Sequence, residues 1–344
     1  MAHIEVKRGL EAAFEEGVTA AALLNVRLLA RVLAFLGFIL LAGLASAQGY
    51  PSKPVRLLVP FPPGGSADLV ARTISPKLGE LLGQQIIVDY RGGAGGSIGT
   101  AEAARAAPDG YTVLIVIETH AVNHHLYKVQ YDFAKSLDPI CLLVQSAGIL
   151  VANPGFAPSS VKELIDYAKA NPEKVTYGSA GTGSTNHLSG VLFSQMTGVK
   201  MTHVPYKGGG PLITDLLGGQ VNIVFESLPL FEQHVRAGKM KAIATLSKSR
   251  IPQFPELSAA TETVPGFEAK TWFGMLAPAG TPKEILARLH QDVVRTLADA
   301  NVKAALTGRG FDIVSSTPEA FAAFLRQESD TTGRLVREAG IKPE

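Results

Sequence analysis

Short apolar segments alternate with amphipathic helical segments from Val55 onward. Most of the apolar segments are continuous and rich in β-branched residues, which is typical of parallel strands buried on both faces. Eight of them are predicted as strands: Val55–Val59, Gln85–Asp89, Thr112–Ile117, Leu142–Ala152, Val175–Tyr177, Thr202–Pro205, Val221–Phe225 and Lys241–Leu246.

Three helices are clearly indicated between or after these strands. The first runs from Ala67 to about Leu82, with a kink expected at Pro76. The second begins after Ser160, which forms a capping box with Glu163. The third begins near residue 281 and repeats apolar residues at a spacing of four: Ile285, Leu289, Val293 and Leu297. This alternation of strands and helices predicts an α/β protein with mainly parallel sheets.

Two segments interrupt the alternation, and we predict them as chain crossings between two lobes. Residues 137–154 are extended without a helix, and the strand at 241–246 is followed by a loop-like stretch. On this interpretation, residues 48–145 plus 246–344 form lobe 1 and residues 146–245 form lobe 2. The hinges are then expected near Gln145–Gly148 and Thr245–Lys248.

The first 47 residues have the pattern of a secretory signal. Arg27 and Arg31 precede an uncharged apolar run from Val32 to Leu44, and Ala45-Ser46-Ala47 supplies an A-x-A cleavage site. The run is shorter than the roughly 20 residues of a membrane-spanning helix. We therefore predict a signal peptide cleaved after Ala47 and a periplasmic product, with an uncleaved anchor as the alternative.

Composition limits the classes of partner. The chain has 344 residues, of which 46% are hydrophobic and 18% are charged, as in ordinary two-domain globular proteins. The 32 basic and 30 acidic residues are interspersed, so nucleic acid is not an expected partner. Cys141 is the only cysteine, which excludes an internal disulfide. A monomer without a cofactor is expected.

Two glycine-rich turns, at residues 60–68 and 177–186, each follow a predicted strand and open a predicted helix. Glycine lets the backbone approach a ligand, and a helix N-terminus presents unpaired N–H groups. Four hydroxyls add donors or cap the helices: Ser66, Ser179, Ser184 and Thr185. Together the two turns predict an anion clamp. The alternative is a pair of tight turns with ordinary helix caps.

Two catalytic motifs are matched only in part. Gly178 and Gly183 have P-loop spacing, but Ser184 stands where the lysine belongs, so nucleotide binding is rejected. Residues 95–99 match the nucleophile motif G-x-S-x-G, with Ser97 as the candidate nucleophile. Residues 91–94 separate this motif from the preceding strand, which ends near Tyr90, and the late His290 lies inside a predicted helix. A glycine-rich loop is therefore favoured, and no catalytic residue is predicted.

His120, His124 and His125 cluster after the strand at 112–117. Only His120 and His124 share a helix face, and no second cluster offers further ligands, so no metal is predicted.

Ligand sites in α/β proteins collect at the carboxyl ends of strands. Thr119 and His120 are therefore predicted to line a ligand cleft, and so are Tyr206 and Glu226, which follow later strands. Trp272 and Phe273 are interpreted as core between the lobes.

Seven short motifs occur in a fixed order: Pro54-Val55-Arg56, Val59-Pro60-Phe61-Pro62-Pro63-Gly64-Gly65, Gly93-Ala94-Gly95-Gly96-Ser97-Ile98-Gly99, Pro108-Asp109-Gly110-Tyr111-Thr112, Tyr177-Gly178-Ser179-Ala180-Gly181, Val204-Pro205-Tyr206-Lys207-Gly208 and Pro265-Gly266-Phe267-Glu268. In this order the chain resembles the Bug-type periplasmic solute receptors, the substrate-binding components of tripartite tricarboxylate transporters. The resemblance runs from about Tyr50 to the C-terminus.

The resemblance implies a two-lobed clamp-shell fold of the periplasmic binding protein type II kind, each lobe a mainly parallel sheet flanked by helices. It also implies a small carboxylate held between the lobes and delivered to the membrane components of such a transporter. Di- and tricarboxylates, acidic amino acids and aromatic acids are the family's usual ligands. The implied ligand residues, combined with those argued above, are Phe61, Pro63, Gly64, Gly65, Ser66, Asp68, Thr119, His120, Ser179, Ala180, Gly181, Ser184, Thr185, Tyr206 and Glu226.

One departure bears on the ligand class. Residues 117–120 read Ile-Glu-Thr-His, where the family commonly has a Gly/Ser/Thr-rich stretch. If Glu118 faces the cleft, its carboxylate would repel an anionic ligand. The alternative is that Glu118 points away from the cleft. A receptor is the leading interpretation. The rivals are an exported hydrolase that uses Ser97 and a sensor that passes its ligand signal to another protein.

Overall fold

The computed structural model describes residues 49–338, and the predicted signal peptide lies outside them. The chain divides after Ser52, and the architecture below is that of the unit that begins at Lys53. Its ten strands are β1 Val55–Val59, β2 Ile86–Tyr90, β3 Thr112–Ile117, β4 Leu137–Ala152, β5 Thr176–Ser179, β6 Thr202–Pro205, β7 Ile223–Ser227, β8 Lys241–Thr245, β9 Lys270–Pro278 and β10 Phe311–Ile313.

Ten α-helices connect or flank these strands in the described range. They are α1 Ser66–Leu82, α2 Ser97–Ala104, α3 Thr119–Leu126, α4 Val161–Ala170, α5 Thr185–Thr197, α6 Gly209–Leu217, α7 Leu228–Arg236, α8 Lys283–Ala298, α9 Ala300–Thr307 and α10 Pro318–Glu338. Within residues 49–338, no helix combines the length and apolarity that crossing a bilayer requires.

The first sheet has the order β2-β1-β3-β9-β4, with β10 paired to the other edge of β4. Strands β1, β2 and β3 are parallel, and β9 is antiparallel to both of its neighbours β3 and β4. Four of the six strands therefore run in one direction, and β9 and β10 run in the other.

The second sheet has the order β6-β5-β7-β4-β8. Strands β5, β6 and β7 are parallel, whereas β4 is antiparallel to both β7 and β8. The prediction of two lobes with mainly parallel sheets is confirmed. Each sheet in addition accepts strands that run the opposite way.

Strand β4 belongs to both sheets. Its pairing with β9 ends at Ala147, opposite Lys270, and its pairing with β7 begins at Gly148, opposite Ser227. Two further segments run beside this point, because Leu246 donates its N–H to the Gly148 carbonyl and Ala269 donates its N–H to the Leu246 carbonyl. The connection between the lobes is therefore hydrogen-bonded backbone.

The buried residues form separate cores on the two sheets. Leu58, Leu114, Trp272 and Phe321 belong to a core of the first sheet. On the second sheet, Leu150, Phe193 and Phe225 pack with residues of the 260–267 segment on one face. Leu212, Val224 and Phe231 pack on the other face. The helices of each lobe bury their apolar stripes against these faces, which is the main source of their stability.

Local signals in the sequence mark the start of α4 and the end of α1. Ser160 accepts from the Glu163 N–H, as a capping box requires, while the Glu163 carboxylate accepts from Ser159, one residue earlier than expected. Helix α1 ends at Gly83 with φ of 73°, a left-handed conformation that favours glycine. The helix continues through Pro76 to Leu82.

Strands β9 and β10 were not among the predicted strands, and β9 carries Trp272 and Phe273, the two aromatic residues interpreted as core between the lobes. Trp272 packs edge-on against Phe321 and Phe324 of α10, and Phe273 packs edge-on against Phe311 of β10. Neighbouring residues of a strand point to opposite faces of its sheet. Trp272 therefore packs within lobe 1 against α10, whereas Phe273 also faces a small cavity shared with lobe 2.

The predicted lobe boundaries at 145/146 and 245/246 stay predictions. Ala260, Val264 and Phe267 pack in the core of the second sheet with Phe193 and Phe225. We propose on this packing that lobe 2 extends to about residue 269, which would place the second hinge near Ala269 and Lys270.

Gly148 offers a test of this junction. A Cβ there would overlap the Ala269 carbonyl oxygen and lie 2.9 Å from Leu246 Cβ. We expect Gly148→Ala to destabilise the protein by about 1–3 kcal/mol through overpacking, measured by urea unfolding. Gly210→Ala is the control, because its nearest neighbour would be 3.9 Å away. Equal stability of the two variants would contradict this tight packing.

Candidate ligand-binding cleft

A small cavity of about 50 Å³ lies where the two lobes face each other. Its wall includes the first residues of three helices, namely Ser66 of α1, Thr119 of α3 and Thr185 of α5. Gly209, which begins α6, also lines it. The first N–H groups of a helix have no carbonyl partner within that helix and carry partial positive charge. Helix ends from both lobes thus make one site that favours negative charge.

The loops of the two lobes contact each other directly at this cavity. The Ser66 and Ser227 hydroxyls are 2.8 Å apart. The Thr185 hydroxyl donates to Glu118, with 2.5 Å between the oxygens. Nearby, the Tyr127 hydroxyl donates to the Thr182 carbonyl. These hydrogen bonds join lobe 1 to lobe 2.

The first glycine-rich turn is held from behind by Asp68. This buried carboxylate accepts from the Gly64 N–H at 2.8 Å, from the Arg72 guanidinium at 2.7 Å and from the Tyr90 hydroxyl at 2.6 Å. Phe61, Gly65 and Ser66 of the turn line the cavity. Pro63 and Gly64 are exposed outside it, and Asp68 shapes the loop rather than facing the cavity.

The second turn uses several of its own polar groups to hold its shape. The Gly181 N–H donates to the Ser179 hydroxyl, and the Ala180 N–H donates to the Asn186 side chain. Gly181 has a φ of 134°, which favours glycine. Ser184 caps α5 by accepting from the His187 N–H.

The second turn therefore reaches the cavity mainly at its helix end. Ala180, Ser184 and Thr185 line the cavity, whereas Ser179 and Gly181 support the loop behind it.

Stacked aromatic rings support the second turn, and the sequence analysis had assigned them no role. His187 and His203 stack with ring centroids 3.9 Å apart, and Tyr177 stacks on His203 at 5.1 Å. His203 bonds the Ser179 hydroxyl, and His187 accepts from the Gly183 N–H. Burial lowers the pKa of both histidines to about 4. Neutral rings thus hold the loop, and no histidine charge reaches the cavity from it.

Thr119 and His120 take different positions at the start of α3. Thr119 lines the cavity, is only 2% exposed, and its hydroxyl has no hydrogen-bond partner among the described residues. His120 is fully buried, with Nδ1 bonded to the Ile117 backbone and its ring edge-on to Phe61. Burial lowers the pKa of His120 to about 4. His120 supports the wall behind Phe61, and Thr119 presents the free hydroxyl.

Two acidic side chains line the same cavity. Glu118 accepts from Thr185 and from the Trp272 N–H at 3.2 Å. Glu226 accepts from Asn186 at 2.8 Å and from the Ser227 N–H at 2.7 Å. Burial raises the pKa of Glu118 to about 7 and raises that of Glu226 as well, and the charge of Glu226 further raises that of Glu118.

The structure brings together eight of the residues singled out from the sequence: Phe61, Gly65, Ser66, Thr119, Ala180, Ser184, Thr185 and Glu226. Tyr206 lies apart from the cavity lining and donates to Asp215. Asn186, Ser227 and Phe273 were missed. Asn186 is the last residue of the second turn but was not chosen as a ligand residue, and only the structure places β9, with Phe273, beside β3.

The alternative chemistries find little support in the geometry. The Ser97 hydroxyl donates to the Ala94 carbonyl at 2.7 Å, which closes the turn before α2. His290 bonds the Ser316 carbonyl. Across residues 49–338, no group of three or more His, Cys, Asp and Glu side chains has the arrangement of a metal site.

Comparison with known proteins agrees with this architecture. Two lobes that enclose a cleft at helix N-termini define a periplasmic binding protein. Residues 70–341 match the family model described as tripartite tricarboxylate transporter family receptor. The chain belongs to this family, which is a family of solute-binding receptors.

Individual relatives cover most of the chain. The protein BugT of Bordetella pertussis is 38% identical over 320 residues, which are 91% of this chain and 98% of BugT. The solved structure of Rpa4515 from R. palustris with adipate is 34% identical, with a TM-score of 0.83 over 86% of this chain and 100% of that one. MatC from Rhodopseudomonas palustris with bound malate is 31% identical, with a TM-score of 0.80 over 83% of this chain and 100% of that one.

The raised pKa of Glu118 predicts a specific pH dependence of stability. Folded protein keeps the Glu118 proton from about pH 4.5 to 7, where the unfolded chain has lost it, so this group's contribution falls as pH rises through that window. Glu118→Gln cannot ionise. We expect its stability relative to wild type to improve between pH 5 and pH 8 by about 3 kcal/mol at most.

Urea unfolding at each pH measures this difference. Subtracting the two profiles removes the opposite contribution of His120, His187 and His203, whose lowered pKa values make stability rise with pH. Glu256→Gln, at an exposed loop position, controls for loss of a carboxylate. Parallel wild-type and Glu118→Gln profiles from pH 5 to 8 would show that Glu118 does not titrate there.

Proposed function

We propose that this protein is a periplasmic receptor that binds a small carboxylate between its lobes and delivers it to a tripartite tricarboxylate-type transporter, without catalysis. The observation that carries the proposal is the convergence of helix N-termini from both lobes on one cavity that also holds the free Thr119 hydroxyl. Relatives with adipate and with malate support the ligand class.

Recognition rests on neutral donors. The residues lining the cavity include no Arg, Lys or His. A ligand carboxylate accepts instead from first-turn N–H groups of α1 and α5 and from the hydroxyls of Ser66 and Thr119. Hydrogen bonds to a charged partner contribute about 1.5–3 kcal/mol each, so a few of them suffice for tight binding.

Binding is coupled to approach of the lobes. The donors lie on loops from separate sheets, so one carboxylate reaches both sets only when the lobes are close. A ligand that gains about 5.5 kcal/mol in the closed form shifts the closed population from 1% to 99%. The hydrogen bonds from the second lobe supply a difference of this size. Reopening then releases the ligand to the transporter.

Uptake and sensing differ in the partner that recognises the closed form, and the membrane components of a transporter are proposed here because of family membership. Catalysis is not proposed, because the Ser97 hydroxyl serves the turn before α2 and the structure places no general base on it.

Thr119 provides the direct test. Thr119→Val keeps the side-chain shape but removes a buried hydroxyl that lacks a protein partner. We expect the variant to be as stable as wild type or more stable by about 1–3 kcal/mol. We also expect it to bind the best ligand of a thermal-shift panel of mono-, di- and tricarboxylates about 10 to 100 times more weakly, measured by calorimetry.

Thr281→Val is the matched control, because Thr281 is also buried but its hydroxyl donates to the Pro278 carbonyl at 2.7 Å. It should lose stability and keep its ligand affinity. Unchanged affinity in Thr119→Val would exclude Thr119 from the site, and the absence of any thermal shift across the panel would reject the carboxylate receptor.

A further inference from the structure

Glu118 and Glu226 already occupy positions that attract anions. Glu118 is the N-cap residue of α3, and Glu226 immediately precedes Ser227, the N-cap residue of α7. Carboxylates are stabilised at such helix ends by the partial positive charge of the helix. At these two helix ends, the partial positive charge is therefore offset by the carboxyl groups of Glu118 and Glu226.

Both carboxyl groups retain unused acceptor capacity. Each has one donor on each oxygen: Thr185 and the Trp272 N–H for Glu118, and Asn186 and the Ser227 N–H for Glu226. At pH 8, above the pKa of about 7 to which burial raises Glu118, an ionised carboxylate offers about four acceptor sites. All four partners are neutral, so no protein cation compensates these groups within the cavity.

The unpartnered Thr119 hydroxyl points to a ligand independently of the acids. It is buried beside Glu118 and lines the same cavity. A buried hydroxyl without a partner is costly, so its retention is best explained by a ligand group that bonds it. The ligand and Glu118 therefore meet within one small cavity.

We infer that this cavity selects a ligand with one carboxylate and one protonated amine over a dicarboxylate of equal length, and that Glu118 determines this preference. This inference rests on the proposed function. The helix N-termini and hydroxyls hold the ligand carboxylate, while the ammonium donates to the spare acceptor sites of Glu118 and Glu226. A second ligand carboxylate would instead lie beside like charges in a buried site, where opposing charges are poorly screened.

The neighbouring charges lie around an adjoining cavity of about 460 Å³, which Glu118, Thr119 and Thr185 also line. Its wall includes one cation, Lys270, and two further carboxylates, Glu268 and Glu328, and Glu328 is bonded to the Trp272 indole at 2.9 Å. None of these three residues lines the 50 Å³ cavity, and acidic groups outnumber the single cation around Glu118. That small volume also favours short ligands, because a single water-sized group occupies about 10–15 Å³.

Three pairs of short acids separate charge from size. The pairs are glycine and malonate, 3-aminopropanoate and succinate, and 4-aminobutanoate and glutarate. Within a pair the carbon spacer is identical, and an ammonium is exchanged for a carboxylate. Calorimetry on wild type at pH 8, where Glu118 is ionised, is expected to show at least tenfold tighter binding of the amino acid in the best-bound pair. In Glu118→Gln, this preference should fall at least tenfold.

Glu226→Gln should shift the preference in the same direction and serves if Glu118→Gln does not fold. Glu232→Gln is the matched control. Glu232 is as buried as Glu118, at 8% exposure for each, but pairs with Arg236 away from the cavity. It should leave the preference unchanged.

The outcomes distinguish the two claims. Equal or tighter binding of the dicarboxylate in every pair would overturn the inference while leaving a carboxylate receptor intact. A preference that survives both Glu118→Gln and Glu226→Gln would also overturn it. If none of the six acids binds wild type, the inference fails, and the proposed function fails with it only if no acid of the thermal-shift panel binds either.

Discussion

The direction of the parallel strands is the constraint on which the site depends. A strand that enters a helix through a short turn delivers the helix N-terminus to the carboxyl edge of its sheet. Both sheets present this edge to the same cleft, so α1 and α3 from one lobe meet α5 and α6 from the other. The positive field there follows from chain direction alone. The residues at the helix starts then decide what the field holds.

Patterns with a local cause could be read from the sequence. Continuous apolar runs located β1, β3 and β6 at their observed bounds, and glycine with serine located the turn before α1. Strand β9 escaped prediction because its buried run, with Trp272 and Gly274, lacks the β-branched composition that marked the other strands. Its place in the sheet is set by pairing with β3 and β4, which are distant in sequence.

The site shows the same division. The helix starts near Ser66 and Thr185 were identifiable because glycine and serine, here Gly65 and Ser184, favour the N-cap position. The sequence did not identify which polar groups of the loops remain available to bind a ligand. Asp68 and Ser179 resemble ligand residues in sequence, yet they bond their own loops. Glu118, in contrast, was not chosen as a ligand residue but lines the cavity. Its position depends on hydrogen bonds with Thr185 and Trp272, which are distant in sequence.

Strand β4 has a consequence for the order in which the parts of the protein assemble. Apart from its entry through β4, lobe 2 is built from one continuous stretch of chain. Lobe 1 needs β9, β10 and α10 from the end of the sequence to complete its sheet and cover Trp272. A chain that emerges from its N-terminus first can therefore finish the second lobe before the first. Until α10 packs against the first sheet, the apolar face around Trp272 is exposed to solvent. Lobe 1 therefore cannot complete its core before the C-terminal segment is present.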